Sequence, residues 1–314
     1  MTTKITINFG DPDIAEETAR IPNDGAGPCP IETIIRRIGA HPMALLHLEK
    51  IRDPDERKRV QGLSTNGGAY FIDQLAAGMA ALATAFHPKP VIVRLSDFQS
   101  DEYAMLDGGR DVEPHEQNPM IAWRGAVRYT HPDYAEAFAL ECAAEKQVRE
   151  DMGLTNLHPL VPYCRRLSEA HAVIDAMAAN GLRQSVDGLQ IHLMAEVPNN
   201  AMEIDGLAGL FDGISIGSRD LAQLILGIDA GAAFVRAADF APCDPGVLRC
   251  IQMLIEGAKR HDCPISICGP TPSERPEMAE FVVRHGIDCL SLRPDSVVET
   301  TRNVRQLEHD LSKW

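Results

Sequence analysis

Arg94, Arg165, Glu196, Asp220 and Cys268 each stand at or just beyond the end of a short apolar run, and Arg124 lies on the long loop after Arg94. A buried run that stops at a charged or nucleophilic residue is how a parallel strand reads when its carboxyl end opens onto a site. Glu196 and Asp220, facing one mouth, offer oxygen ligands for a divalent cation and leave positions for substrate oxygens. Arginine supplies paired N–H donors for a carboxylate or a phosphate. Backbone N–H groups around Gly217-Ser218 suit an anion, and Arg219 adds a cation beside them. A thiol at a strand end, Cys268, can carry a proton when its pKa allows. Together these groups suit the stabilisation of an enolate, with the thiol handling the proton on carbon.

Each residue alone has a plainer explanation. A strand-end arginine is commonly a salt-bridge partner, Asp220 is placed to cap a helix, and Cys268 is one of eight scattered cysteines. Their joint position is what marks a site, and it depends on the elements that carry them.

Those elements alternate. Ile5–Phe9 alternates like a strand, Val91–Arg94 is a buried-type strand, and 158–163, 189–196, 211–217, 264–268 and 288–292 read as further strands. Helical patterns separate them, at 70–86, 133–151, 168–180, 199–209, 245–261, 276–285 and 296–311. A weak strand after Asn23-Asp24-Gly25-Ala26-Gly27, compromised by Pro28 and Pro30, brings the count to about eight. Strands alternating with helices predict parallel βα units, and eight of them predict a (β/α)8 TIM barrel as a single domain over 1–314. An open dinucleotide-binding sheet is disfavoured because no Gly-x-Gly-x-x-Gly opens a helix after the first strand. The loop from Ser96 to Gln117 is long enough to be functional.

Composition narrows the partners. A formal charge of −15 over 314 residues argues against nucleic acid, which needs a basic face, but not against a small anion met by local arginines. No apolar run reaches the roughly 18 residues of a membrane span and no signal-peptide core opens the chain, so a cytoplasmic location is expected. Without a Cys-x-x-Cys pair, the cysteines indicate neither a zinc cage nor a disulfide framework.

Several longer stretches carry a family resemblance. Val91-Ile92-Val93-Arg94-Leu95-Ser96-Asp97-Phe98 with Asp101-Glu102-Tyr103, and Asn118-Pro119-Met120 with Arg124-Gly125, resemble phosphoenolpyruvate (PEP) synthases. So do Asp151-Met152-Gly153-Leu154-Thr155-Asn156, Ile216-Gly217-Ser218 with Asp220 and Gln223, and Ile267-Cys268-Gly269. The resemblance runs from about Ile5 to Val298 and is to the PEP/pyruvate-binding barrel, shared with pyruvate phosphate dikinase. It implies that Arg94 and Arg124 clamp the substrate phosphoryl or carboxylate, and that Glu196 and Asp220 hold Mg2+. It further implies main-chain contacts from Gly217 and Ser218, proton transfer by Cys268 and a homodimer.

The departures are specific. Arg219 stands where the family keeps asparagine, and Ala230 where it keeps arginine. Pro28-Cys29-Pro30-Ile31 before Glu32 replaces a Gly-Leu-x-Arg stretch; Pro270-Thr271-Pro272-Ser273 replaces Gln-Gly-Pro-Ser; Arg293 replaces the asparagine of Ser-Leu-Asn-Pro-Asp. No nucleotide-grasp or phosphohistidine segment is recognisable, so phosphoryl transfer is expected to need a separate phosphohistidine or nucleotide-binding protein. Three functions follow: a PEP/pyruvate barrel working with such a partner, a stand-alone lyase or aldolase acting on a 2-oxo acid, and a non-catalytic sensor.

Overall fold

The computed structural model describes residues 2–229, 231–232 and 241–313. Eight strands, β1 (Lys4–Ile7), β2 (Ala26–Pro30), β3 (Val91–Arg94), β4 (Leu157–Val161), β5 (His192–Ala195), β6 (Gly213–Gly217), β7 (Ile265–Cys268) and β8 (Cys289–Leu292), pair in sequence order. All pairings are parallel, and β1 returns to β8 with Ile7 opposite Leu292 to close the barrel. The expected (β/α)8 architecture is the one observed.

Period-two alternation explains how each strand serves two layers. Ile214 and Ile216 of β6 belong to the large core between strands and helices. Gly213, Ser215 and Gly217 alternate with them and leave space inside the barrel. Among the described residues, a small separate hydrophobic cluster, Leu160, Met194 and Cys268 with Ile92 against it, sits apart from that core toward the barrel interior. β2 forms despite its two prolines. It meets β1 through one register pair, Ile7 with Ala26, and its register on β3 shifts between Ala26 and Cys29. Missing proline donors are tolerated at such an irregularity.

Helix Gly67–Phe86 is long and apolar enough, by composition alone, to cross a bilayer. Its Phe71, Leu75, Met79, Leu82 and Phe86 are buried against the fold, as in a core helix. The segment expected as one helix over 199–209 is two, Asn199–Met202 and Ile204–Ala208. The helix expected over 133–151 runs Ala135–Lys146 and widens into a π-turn, Gln147–Asp151. All eight cysteines are free thiols.

Candidate active site at the carboxyl end of the barrel

β3, β5, β6 and β7 end at one face, so Arg94, Glu196, Gly217 and Cys268 reach the mouth by position alone. Helix Ser218–Leu226 starts at once after β6 and brings Ser218, Arg219 and Asp220 to the same place. These residues line a cavity of about 190 Å3. A larger cavity, about 670 Å3, opens at the opposite end among Lys4, Thr6, His192 and Cys289. It lacks the convergence of arginines and carboxylates, so chemistry rather than size identifies the candidate site.

A continuous ionic network backs the mouth. Arg94 donates to Glu32 at 2.6 Å and lies 3.9 Å from Asp97. Arg124 grips both oxygens of Asp97, with Nε to Oδ1 at 3.0 Å, and donates to Asp220 at 3.0 Å. Its guanidinium lies 4.1 Å from the centre of the Tyr163 ring, a stacking that arginine favours. Burial works against the charge of both arginines, and the surrounding carboxylates more than offset it, so both pKa values are raised. Tyr163 takes a positive φ of 48° and donates its backbone N–H to Glu196 at 2.8 Å. A non-glycine residue in that region is uncommon and is often found at functional sites.

Glu196 is 3% exposed. Burial, then repulsion from Asp97 and Asp220, pushes its pKa well above the usual carboxylate range against the pull of Arg124 and Arg94. Asp97, Glu196 and Asp220 each present an oxygen, all within 4.8 Å of one another. This donor set fits a hard divalent cation. Arg124 engages Asp97 and Asp220 alike, but of the three carboxylates only Glu196 and Asp220 line the cavity, which makes them the pair placed to hold it. Two further polar atoms at this edge, Glu32 Oε2 and Arg94 Nε, are buried without a partner, an arrangement consistent with a polar ligand.

Gly217 is required by close approach, because a Cβ there would lie 2.8 Å from Glu196 Cβ and Oε2. Gly269, at φ +96°, lets the chain pass Ser218, whose hydroxyl donates to the Cys268 carbonyl at 2.7 Å. That bond ties the ends of β6 and β7 together. The Cys268 thiol sits 3.4 Å from the Ile216 carbonyl and 3.7 Å from the Met194 sulfur. Burial pushes it up to about 12, with Ser215 opposing. At neutral pH it is a protonated thiol, suited to give a proton rather than to attack as a thiolate.

Of the residues expected from sequence, Arg94, Glu196, Gly217, Ser218, Arg219, Asp220 and Cys268 line the cavity. Arg124 stands behind it and reaches it through Asp220. Arg165 is elsewhere, bonded to Glu169 and the Ala122 carbonyl. Ala230 lies outside the described residues. Sequence reasoning missed Asp97 and Glu32, the carboxylates that hold the two arginines, and Asn8, which lines the mouth from the end of β1. Asp97 had a signal, standing three residues after the strand-end Arg94 in a stretch that carries the resemblance.

The family profile described as "PEP-utilising enzyme, PEP-binding domain" matches residues 1–309. The chain belongs to the PEP-utilising enzyme family. It is 47% identical to the phosphoenolpyruvate synthase of Synechocystis sp. over 98% of its own length and 38% of that relative's. It is 42% identical to that of Helicobacter pylori, covering 99% of this chain and 39% of the relative. The Escherichia coli synthase is 41% identical, over 97% and 39% respectively. The chain therefore spans about two-fifths of the length of these relatives. An aldolase/citrate lyase family protein of the HpcH/HpaI type from Burkholderia cenocepacia overlays with a TM-score of 0.49 at 12% identity, covering 99% of this chain and 95% of that one. That likeness carries no functional argument.

Proposed function

We propose that this barrel binds Mg2+ together with PEP or pyruvate and handles the pyruvate enolate. The observation that carries the reading is the convergence of Arg94, Glu196, Asp220 and the protonated Cys268 thiol on one 190 Å3 cavity. The family match supports it.

In this reading Glu196 and Asp220 hold the cation, and Tyr163 N–H and Arg124 fix the two carboxylates in place. The metal, when bound, supplies positive charge where the enolate oxygen develops its negative charge. Arg94 and Arg124 stabilise the same developing charge, with backbone groups of Gly217 and Ser218 beside them. The Cys268 thiol delivers a proton to the methylene carbon and is left as the thiolate; in the reverse direction that thiolate, once formed, receives a proton from the methyl carbon and is restored as the thiol. Its thiol lies on the cavity floor among Met194 and Ile92, where solvent competes poorly for that proton.

Phosphoryl transfer on such a barrel draws on a phosphohistidine carried by another domain or chain, so in isolation the expected activity is enolisation. Incubating the protein with pyruvate and Mg2+ in D2O should place deuterium on carbon 3, and Cys268→Ala should abolish this while ligand still binds. Equal exchange in both proteins would remove Cys268 from the chemistry. A second reading, carbon–carbon cleavage of a 2-oxo acid adduct through the same enolate, is motivated by the departures from the family resemblance at Arg219, Ala230 and Pro270-Thr271-Pro272. Mg2+-dependent release of pyruvate from a panel of adducts would support it, and no release across a broad panel counts against it.

A further inference from the structure

The mouth contains a charge that the reaction scheme does not use. Four carboxylates, Glu32, Asp97, Glu196 and Asp220, surround two arginines, Arg94 and Arg124, and every one of those arginine contacts is internal to the protein. With all four ionised around a bound divalent cation, two carboxylates remain in excess, the number that the cation offsets. The set is then neutral before any substrate arrives.

Arg219 lies outside this network. It lines the same cavity and its residue is exposed. No described residue forms an ion pair or hydrogen bond with its guanidinium. The neighbouring walls do not duplicate it, because Pro28, Pro30 and Pro270 bring neither charge nor a backbone donor to the cavity. It is thus the one cation on the cavity lining, among the described residues, with no carboxylate partner.

Depth separates it from the reacting carbon. Cys268 is 4% exposed and Glu196 3% exposed, so both belong to the floor, whereas Arg219 is at the rim. A rim guanidinium surrounded by water is screened from charges on the floor. It discriminates between ligands only when a ligand group reaches it and forms charge-assisted hydrogen bonds. The metal-facing end of a 2-oxo acid is held on the floor. A guanidinium left open at the rim therefore suits an additional anionic group.

Building on the PEP/pyruvate reading, we infer that Arg219 is a specificity-determining residue that binds a second anionic group on the substrate, a phosphoryl or a further carboxylate. The site accordingly selects dianionic ligands over pyruvate. Asparagine at this position would offer hydrogen bonds without the charge.

The test is calorimetric titration of the Mg2+-loaded protein with three probes: pyruvate, PEP and 2-oxoglutarate. Arg219→Asn and Arg219→Lys are compared with wild type, and matched thermal melts confirm folding. The expected result is that the ratio of the pyruvate Kd to the dianion Kd falls about ten-fold or more in Arg219→Asn, with partial retention in Arg219→Lys. Loss of preference for PEP alone identifies the second group as phosphoryl. Loss for 2-oxoglutarate alone identifies it as carboxylate. A ratio unchanged within two-fold for both dianions overturns the inference while leaving the parent reading standing. Failure of wild type to bind any of the three overturns both.

Discussion

Replacing Asp97 with asparagine tests whether the network behind the mouth holds the site together. The Asp97 side chain is fully buried and that of Arg124 is 6% exposed. Asparagine keeps one oxygen for Arg124 Nε but turns an NH2 group toward the other guanidinium nitrogen, so donor faces donor. Breaking a buried ion pair by changing one partner costs about 3–5 kcal/mol. Arg124 retains Asp220 at 3.0 Å and the Tyr163 ring at 4.1 Å, which points to the lower end, about 3 kcal/mol. Unfolding entropy of about 2.1 cal/mol/K per residue, over a chain of 314 residues, converts this to a fall in Tm of about 5 °C. The assay is thermal melting at neutral pH in chelator, so that no bound metal contributes. A Tm within 1 °C of wild type would refute the claim that Asp97 anchors Arg124 energetically.

Two further predictions address the site and the shell. Gly217→Ala places a methyl group 2.8 Å from Glu196 Cβ and Oε2; Mg2+ affinity should drop at least ten-fold in a metal titration, and unchanged affinity would show that Glu196 is not held as a ligand there. Glu145 is fully buried, neither of its oxygens has a partner, and burial raises it from 4.5 to about 8 against the pull of Arg149. The folded state therefore holds a proton that the unfolded state releases. Stability contributed by this group is full below about pH 4.5 and is lost as pH rises toward 8, by a few kcal/mol. Urea unfolding of Glu145→Gln should show a flatter profile across that window, and an identical pH slope in both proteins would contradict the assignment.

How far the site can be read from sequence depends on the range of the interactions involved. Strand ends are local, so Arg94, Glu196, Gly217, Asp220 and Cys268 could be placed at one mouth once βα alternation implied a barrel. The closed ring itself followed from eight alternations even though Pro28 and Pro30 made β2 look doubtful. Proline's missing N–H weakens a strand prediction, but the register shift beside Cys29 accommodates it. Arginine pairing is not local. Glu32 is 62 positions from Arg94 and Asp97 is 27 from Arg124, and no periodic pattern announces such partners. Arg165 failed for a related reason: it follows the positive-φ turn at Tyr163 and is drawn to Glu169, four residues on. Charge type marked it as a candidate, and the turn decided where it went. Arg219 shows the opposite case. Its departure from the family pattern was visible at once, but that it lacks a carboxylate partner became visible only when the neighbouring arginines were seen to be paired.

Under the proposed function, Glu196 and Asp220 make ligand binding at this mouth depend on a divalent cation. Calorimetric titration of the purified chain with pyruvate and PEP, in Mg2+ and in chelator, tests it most directly. The expected result is binding in Mg2+, loss of at least ten-fold in affinity in chelator, and the same loss in Glu196→Gln even with Mg2+ present. Equal affinity with and without Mg2+, or no binding of either ligand in both conditions, would contradict it.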